Sequence, residues 1–357
     1  MEEAKERVRN WTSGLLNLSG LRLTELPELP EGLQQLQCSK NQLTTLPDTL
    51  PTGLTTLHCN NNQLTTLPET LPAGLTELHC YNNQLSTLPD TLPAGLITLC
   101  CDDNQLTTLP ETLPEGLRQL YCPNNKLTTL PNTLPAGLTQ IICKNNQLTT
   151  LPETLPAGLR QIYCQDNPLM TLPETLPAGL TLLYCNNNQL TTLPDTLPAG
   201  LRTLNCCINR LTRLPESLPA GLTELHCHNN QLTTLPKTLP VGLRDLYCDD
   251  NQLKTLPETL PAGLTTLYCH NNQLLSLPES LPAGLRILYC YGNKFPDREN
   301  DESIPDYVAR VKAIAEKASK ERIIARCALY FEELAKKVWH PQRVERLMLA
   351  GVDMEDM

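Results

Sequence analysis

A chain of 357 residues with 28 basic and 38 acidic side chains carries a formal net charge of −10, which argues against nucleic acid and anionic membrane as partners, since both require a basic face. No apolar run approaches the roughly 20 residues of a membrane span, and Met1-Glu2-Glu3-Ala4-Lys5-Glu6 lacks the apolar core of a secretory signal. A soluble, cytoplasmic protein whose sixteen cysteines stay reduced is the expectation.

In chain order, the first element is a helix over residues 1–15. Ala4, Val8 and Trp11 recur at i, i+4 and i+7, which suits a helix laid over the open edge of the adjoining unit. From there the chain is periodic. Cysteine recurs every 21 residues from Cys38 through Cys59, Cys80 and Cys101 to Cys290, and asparagine keeps the same step from Asn41 to Asn293. A degenerate copy precedes them, with Leu16, Leu18, Leu21, Leu23 and Leu26, in which Leu18 takes the cysteine position. Self-similarity of this kind outranks length as a guide to architecture, because a solenoid grows by adding units around a core one repeat wide.

The unit reads L-x-x-L-x-C-x-x-N-x-L-x-x-L-P-x-x-L-P-x-G over residues 16–295. It resembles the leucine-rich repeat family, in which L-x-x-L-x-L-x-x-N-x-L forms a short strand followed by an asparagine-anchored turn. The L-P-x-x-L-P style is similar to the short repeats of secreted bacterial effectors. The resemblance implies a solenoid with a parallel concave β-sheet, built here from about fourteen units. At about 4.8 Å per strand the sheet should extend on the order of 60–65 Å.

Within one unit, alternation turns Leu33, Leu36 and Cys38 inward and Gln35, Gln37 and Ser39 outward. Asn41 can satisfy turn backbone groups that would otherwise be buried unpaired. The return limb, Leu46-Pro47-Asp48-Thr49-Leu50-Pro51, should be extended or polyproline rather than helical, because two prolines within five residues block helical hydrogen bonding. A limb this thin should give an arc more open than in relatives with helices on the convex side. The cysteine ladder occupies the slot of a core leucine and should pack as small hydrophobes. Cys100 and Cys207 are out of phase, and are expected to face outward as the most reactive thiols.

The outward position before each cysteine carries Tyr121, Tyr163, Tyr184, His226, Tyr247, Tyr268 and Tyr289, with His58 and His79 at the N-terminal end. These rings could be cross-strand pairs copied by duplication, or rigid amphipathic anchors for a protein partner. Together with Asp245 and Asp249 they form the candidate binding face, centred on the C-terminal half. His228, Asp249 and His270 are of the kinds zinc takes. His228 and His270, however, stand two rungs apart, so no metal is assigned to these three candidates. Arg118, Arg160, Arg202, Arg244 and Arg286 mark every second unit, the trace of a duplicated pair. Asp48, Glu69, Asp90 and their equivalents form an acidic ridge on the return limb, adequate for solubility.

After Phe295 the composition changes, and residues 296–357 are expected to be a helical cap or adaptor segment. Ser303 can cap a helix carrying Ile304, Tyr307, Val308, Val311 and Ile314. A second stripe comes next at Ile324, Cys327, Phe331, Leu334 and Val338, and a short last helix should begin at Val344. The segment Val338-Trp339-His340-Pro341-Gln342-Arg343-Val344-Glu345-Arg346 resembles tails of proteins from large DNA viruses of amoebae, which would place the protein in host cytoplasm. No phosphate-binding glycine loop, His-Glu-x-x-His or nucleophile elbow occurs, so neither an enzyme nor a cofactor is expected. Some of the effectors carry a ubiquitin-ligase domain after their repeats. The roughly 60 residues beyond Phe295 are too few for one. The function expected is a non-enzymatic scaffold binding a protein partner, with an adaptor or a self-assembling protein as the alternatives.

Overall fold

A computed structural model describes residues 1–299 and 302–338, together with His340, Gln342, Glu345, Arg346 and Leu349. The expected last helix and the Trp339–Arg346 motif fall largely outside the described residues.

Fourteen three-residue strands, from β1 (Leu15–Asn17) and β2 (Gln35–Gln37) to β14 (Ile287–Tyr289), form one parallel sheet in strict chain order. Each strand pairs with the next in register, so equivalent residues stand side by side, as with Leu57 beside Leu78 and His58 beside His79. Leu33, Leu36 and Cys38 are fully buried, while Gln35 is exposed and Gln37 and Ser39 are half-buried, as the alternation requires. Leu43 and Leu46 close the core from the opposite side. No residue between β1 and β14 is helical. Each return limb has no regular secondary structure and ends in a turn in which an amide such as that of Leu75 donates to Pro72 O at 3.0 Å.

The recurrent asparagine joins adjacent turns of the solenoid. Asn146 Nδ2 donates to Cys122 O and to Cys143 O, both at 3.0 Å, while its Oδ1 accepts from the Leu127 amide at 3.0 Å. One buried side chain thus satisfies backbone groups of two consecutive units, which polar groups out of reach of water require. The residue before it adopts a left-handed conformation, as at Asn61 (φ 56°), Asp103 (53°) and Asn145 (52°). Asparagine and aspartate tolerate that region because their short polar chains bond locally. Here these chains also link neighbouring units: Asn82 Nδ2 donates to Asn61 Oδ1 at 2.6 Å, and Asn145 Nδ2 to Asn124 Oδ1 at 2.9 Å. Ile208 (φ 52°) stands in this column as a β-branched residue.

All sixteen cysteines are free thiols. The ladder is buried, and several thiols also donate weakly to a carbonyl of the next strand, as Cys164 Sγ does to Tyr184 O at 3.4 Å and Cys206 Sγ to His226 O at 3.3 Å. Leucine could fill the same slot but could not make that contact. Burial pushes the Cys38 and Cys143 thiols up to about 12.

Both ends of the solenoid are covered. Helix α1 (Glu2–Asn10) lies over β1, with Ala4 buried and Val8 and Trp11 packed on the first units. At the other end, Ser303 caps helix α2 (Ile304–Val338): its hydroxyl accepts from the Asp306 amide at 3.3 Å. Tyr307, Val308 and Val311 are buried there beside Phe295. Arg310 fastens the helix by donating to both Glu302 carboxylate oxygens at 2.8 Å. The cap ends after about two turns. Ile324, Cys327, Phe331 and Leu334 are exposed, Phe331 at 65%, so the second apolar stripe is not core, contrary to its pattern. Among the described residues nothing covers this part of the helix. No helix among the described residues is long and apolar enough to cross a membrane.

Candidate functional site

The concave face is the outward side of fourteen strands, and its central column is the residue before each cysteine. Strict register places these side chains a strand's width apart, so adjacent aromatic rings must meet. His226, Tyr247, Tyr268 and Tyr289 form a continuous stack, with ring centroids 4.2, 4.8 and 4.7 Å apart. Tyr163 and Tyr184 meet edge to face at 5.2 Å. Tyr121 donates its hydroxyl to Gln140 Oε1 at 2.7 Å. A shallow depression of about 530 Å³ lies mid-arc, lined by Tyr121, Ile142, Tyr163 and Tyr184 with Asp102 and Lys144 at its edge. Burial raises the Tyr121, Tyr184 and Tyr247 hydroxyls above their ordinary range, so these tyrosines are neutral donors at physiological pH.

Polar neighbours hold parts of this row. Glu224 Oε1 lies 2.7 Å from His226 Nε2, and Thr265 Oγ1 contacts Asp245 at 3.4 Å. At the N-terminal end His58 and His79 stack face to face at 4.3 Å, and the Nε2 of each lies 3.0 Å from Glu77 Oε1. Burial, followed by the charge of His58, lowers the His79 pKa below its usual value, against the pull of Glu77.

A second column stands two residues further along each unit. Here the structure corrects the sequence reading. Cys207 is buried, at 5% exposure, with its thiol pushed up to about 11 by that burial. It stands in the column between Asn186 and His228, on turns joined by backbone hydrogen bonds from Asn187 N to Cys207 O and from Ile208 N to His228 O, both at 3.0 Å. Cys100 faces the concave side as expected but is half-buried, its thiol pushed up to about 12 by burial and then by Asp102. The one exposed thiol is Cys327 on α2. Further along the same column, His270 Nε2 lies 3.5 Å from Asp249 Oδ2 and 3.9 Å from Asp250 Oδ2. Of the candidate metal ligands, Asp249 and His270 are therefore brought together with Asp250, whereas His228 is not in that group. Sequence pattern does not single out Asp250, because its place in the repeat reads only as a left-handed turn residue.

The alternate arginines also do more than record duplication. Arg160 Nη1 donates to Gly179 O at 3.0 Å and Arg202 Nη1 to Gly221 O at 3.1 Å, each reaching the turn of the next unit. A Cβ at Gly137 or Gly179 would collide with the guanidinium of Arg118 or Arg160. A side chain at either glycine would thus displace the arginine from the turn it reaches.

Comparison with known proteins agrees with this architecture. Residues 52–94 match the family model described as leucine-rich repeats (2 copies). YopM, a leucine-rich effector protein from Yersinia pestis, is 36% identical with a TM-score of 0.67, over 84% of this chain and 90% of that one. The functional domain of InlJ from Listeria monocytogenes, which includes a cysteine ladder, is 31% identical with a TM-score of 0.69, over 74% of this chain and 59% of that one. Toll from Drosophila, in its complex with Spätzle, is 24% identical with a TM-score of 0.62 over 74% of this chain and 42% of that one, and shares the fold. No curated protein sequence matches the chain. With its strand, asparagine turn and in-phase core repeated along one parallel sheet, and with YopM alike over nine-tenths of its length, the chain belongs to the leucine-rich-repeat family.

Proposed function

We propose that the protein is a non-enzymatic scaffold that holds a protein partner on its concave sheet. The solenoid fold is typical of protein-interaction domains, and Toll is held with Spätzle in a complex. The observation that carries the reading is the row of preorganised aromatic side chains from Tyr163 to Tyr289. Rings already fixed by stacking lose little entropy on binding, and interfaces concentrate their energy in such anchors. Sixteen free thiols suit a reducing cytoplasm.

Binding to the partner captured from the organism of origin tests this. Changing Tyr247 and Tyr268 together to Ala should weaken binding a hundredfold or more, at about 2 kcal/mol or more for each anchor, while the same change at His58 and His79 should matter much less. Equal loss from both pairs would place the partner along the whole arc. No loss from either would mean that the stack serves the sheet alone.

A second reading has its own support. The distal half of α2 exposes Ile323, Ile324, Tyr330 and Phe331, which suits an adaptor whose helix recruits a further protein. Ending the chain at Ala318 keeps the buried Tyr307, Val308 and Val311. The shortened protein should fold as before and retain its concave partner, and under the adaptor reading it loses only the second one.

A further inference from the structure

We propose that Asp249, Asp250 and His270 bind a divalent transition-metal ion of the zinc class on the concave side of the C-terminal half. The three donor atoms lie within 4.8 Å of one another. The separations of 3.5 and 3.9 Å between His270 Nε2 and the two carboxylates are at or beyond the limit of a hydrogen bond. They are close to the spacing of about 3.3 Å at which two ligands share a tetrahedral ion with bonds of about 2.0–2.1 Å.

A second observation points the same way. Among the described residues, four buried side-chain nitrogen or oxygen atoms have no partner, and one of them is Asp249 Oδ1, on a carboxylate of this cluster. Asp249 is only 8% exposed. A buried carboxylate oxygen with nothing to accept from is costly unless a cation or a donor answers it.

The surroundings hold the donors in place. Asn271 Nδ2 donates to Asp250 Oδ1 at 2.9 Å, leaving Oδ2 turned towards His270. The His270 ring is stacked on Tyr291 at 4.5 Å. Outer partners of this kind orient ligands in metal sites. Two carboxylates and one imidazole suit zinc and its neighbours, whereas calcium takes six to eight oxygens. A double positive charge would also neutralise the adjacent acids. Asp250 is partly exposed, at 37% of its side chain, so the fourth position opens to water.

The other histidine–carboxylate cluster, His58, Glu77 and His79, does not share these features. Its nitrogens are at ordinary hydrogen-bond distance from one oxygen. Its rings are parallel within 4°, so no ion can lie in both ring planes.

The test is titration of the chelator-treated full chain with Co2+ and then Zn2+. One equivalent of Co2+ should bind, with the intensified visible d–d bands of a tetrahedral ion, no thiolate charge-transfer absorption, and release by Zn2+. Asp249→Asn and His270→Gln should each weaken binding at least tenfold, and His58→Gln should leave it unchanged. Should Asp249→Asn alter the fold by circular dichroism, the more exposed Asp250→Asn carries the same expectation. The proposal is overturned by absence of saturable binding below millimolar metal, by thiolate charge transfer, or by affinity that none of the three site variants changes.

Discussion

Replacing Asn146 by Ala probes the ladder that joins the repeats. The substitution removes the acceptor of the Leu127 amide and one donor each from Cys122 O and Cys143 O. The carbonyls are not left bare, because Cys122 O still receives Asn125 Nδ2 at 3.3 Å and Cys143 O still receives Asn167 Nδ2 at 3.1 Å. The amide has no substitute. Stranding it costs about 1–3 kcal/mol, and each weakened carbonyl adds about 0.5–1.5 kcal/mol, so a loss of about 3 kcal/mol is expected. Asn146→Asp should be worse at neutral pH. It keeps an acceptor for Leu127 but turns a buried anion towards two carbonyl oxygens. Urea unfolding followed by circular dichroism gives the free energies, and hydrogen exchange at the Leu127 amide reports the local break. A loss below about 1 kcal/mol for Asn146→Ala, or an aspartate milder than the alanine, would refute the reasoning.

Ile208→Asn should stabilise the protein by about 1 kcal/mol or more, since it relieves a β-branched residue at φ 52° and restores the turn column; a lower urea midpoint than wild type would contradict this. In native buffer an alkylating probe should modify Cys327 first, Cys100 and Cys207 slowly, and the buried ladder only after denaturant, as peptide mapping by mass spectrometry would show. His79 has a lowered pKa in the folded chain, so as pH falls through 6.5 the unfolded chain takes up a proton first and stability drops until the folded histidine also titrates. His79→Gln should flatten that part of the pH–stability curve, and an unchanged slope would count against the burial of a neutral ring. Cys164→Ala should cost about 1 kcal/mol through a small cavity, measured by the same urea unfolding.

The 21-residue phase was enough to determine the inward leucines and cysteines and the non-helical limb, through side-chain alternation along a strand and proline's missing amide. The parallel sheet and the asparagine turn came with the resemblance to leucine-rich repeats that this phase carries, and the two capping helices were legible from apolar spacing in the segments outside the repeats. The aromatic row was legible as a row, because register carries identical positions to adjacent places. Lateral relations lay outside the phase. Cys207 stands out of the cysteine phase yet is 5% exposed, because burial depends on the units on either side and not on position within one repeat. Arg160 reaches Gly179 because one unit's side chain spans to the next unit's turn. Asp250 meets His270 because a turn residue of one repeat faces the residue two places beyond the strand of the next.

The tail marks the same boundary between sequence and structure. Val308 and Phe331 both sit on apolar stripes at helical spacing, yet one is buried and the other is 65% exposed. Periodicity along a chain specifies which face of a helix is apolar. Whether that face is covered depends on what lies opposite it, and beyond the last repeat the solenoid has no further surface to offer.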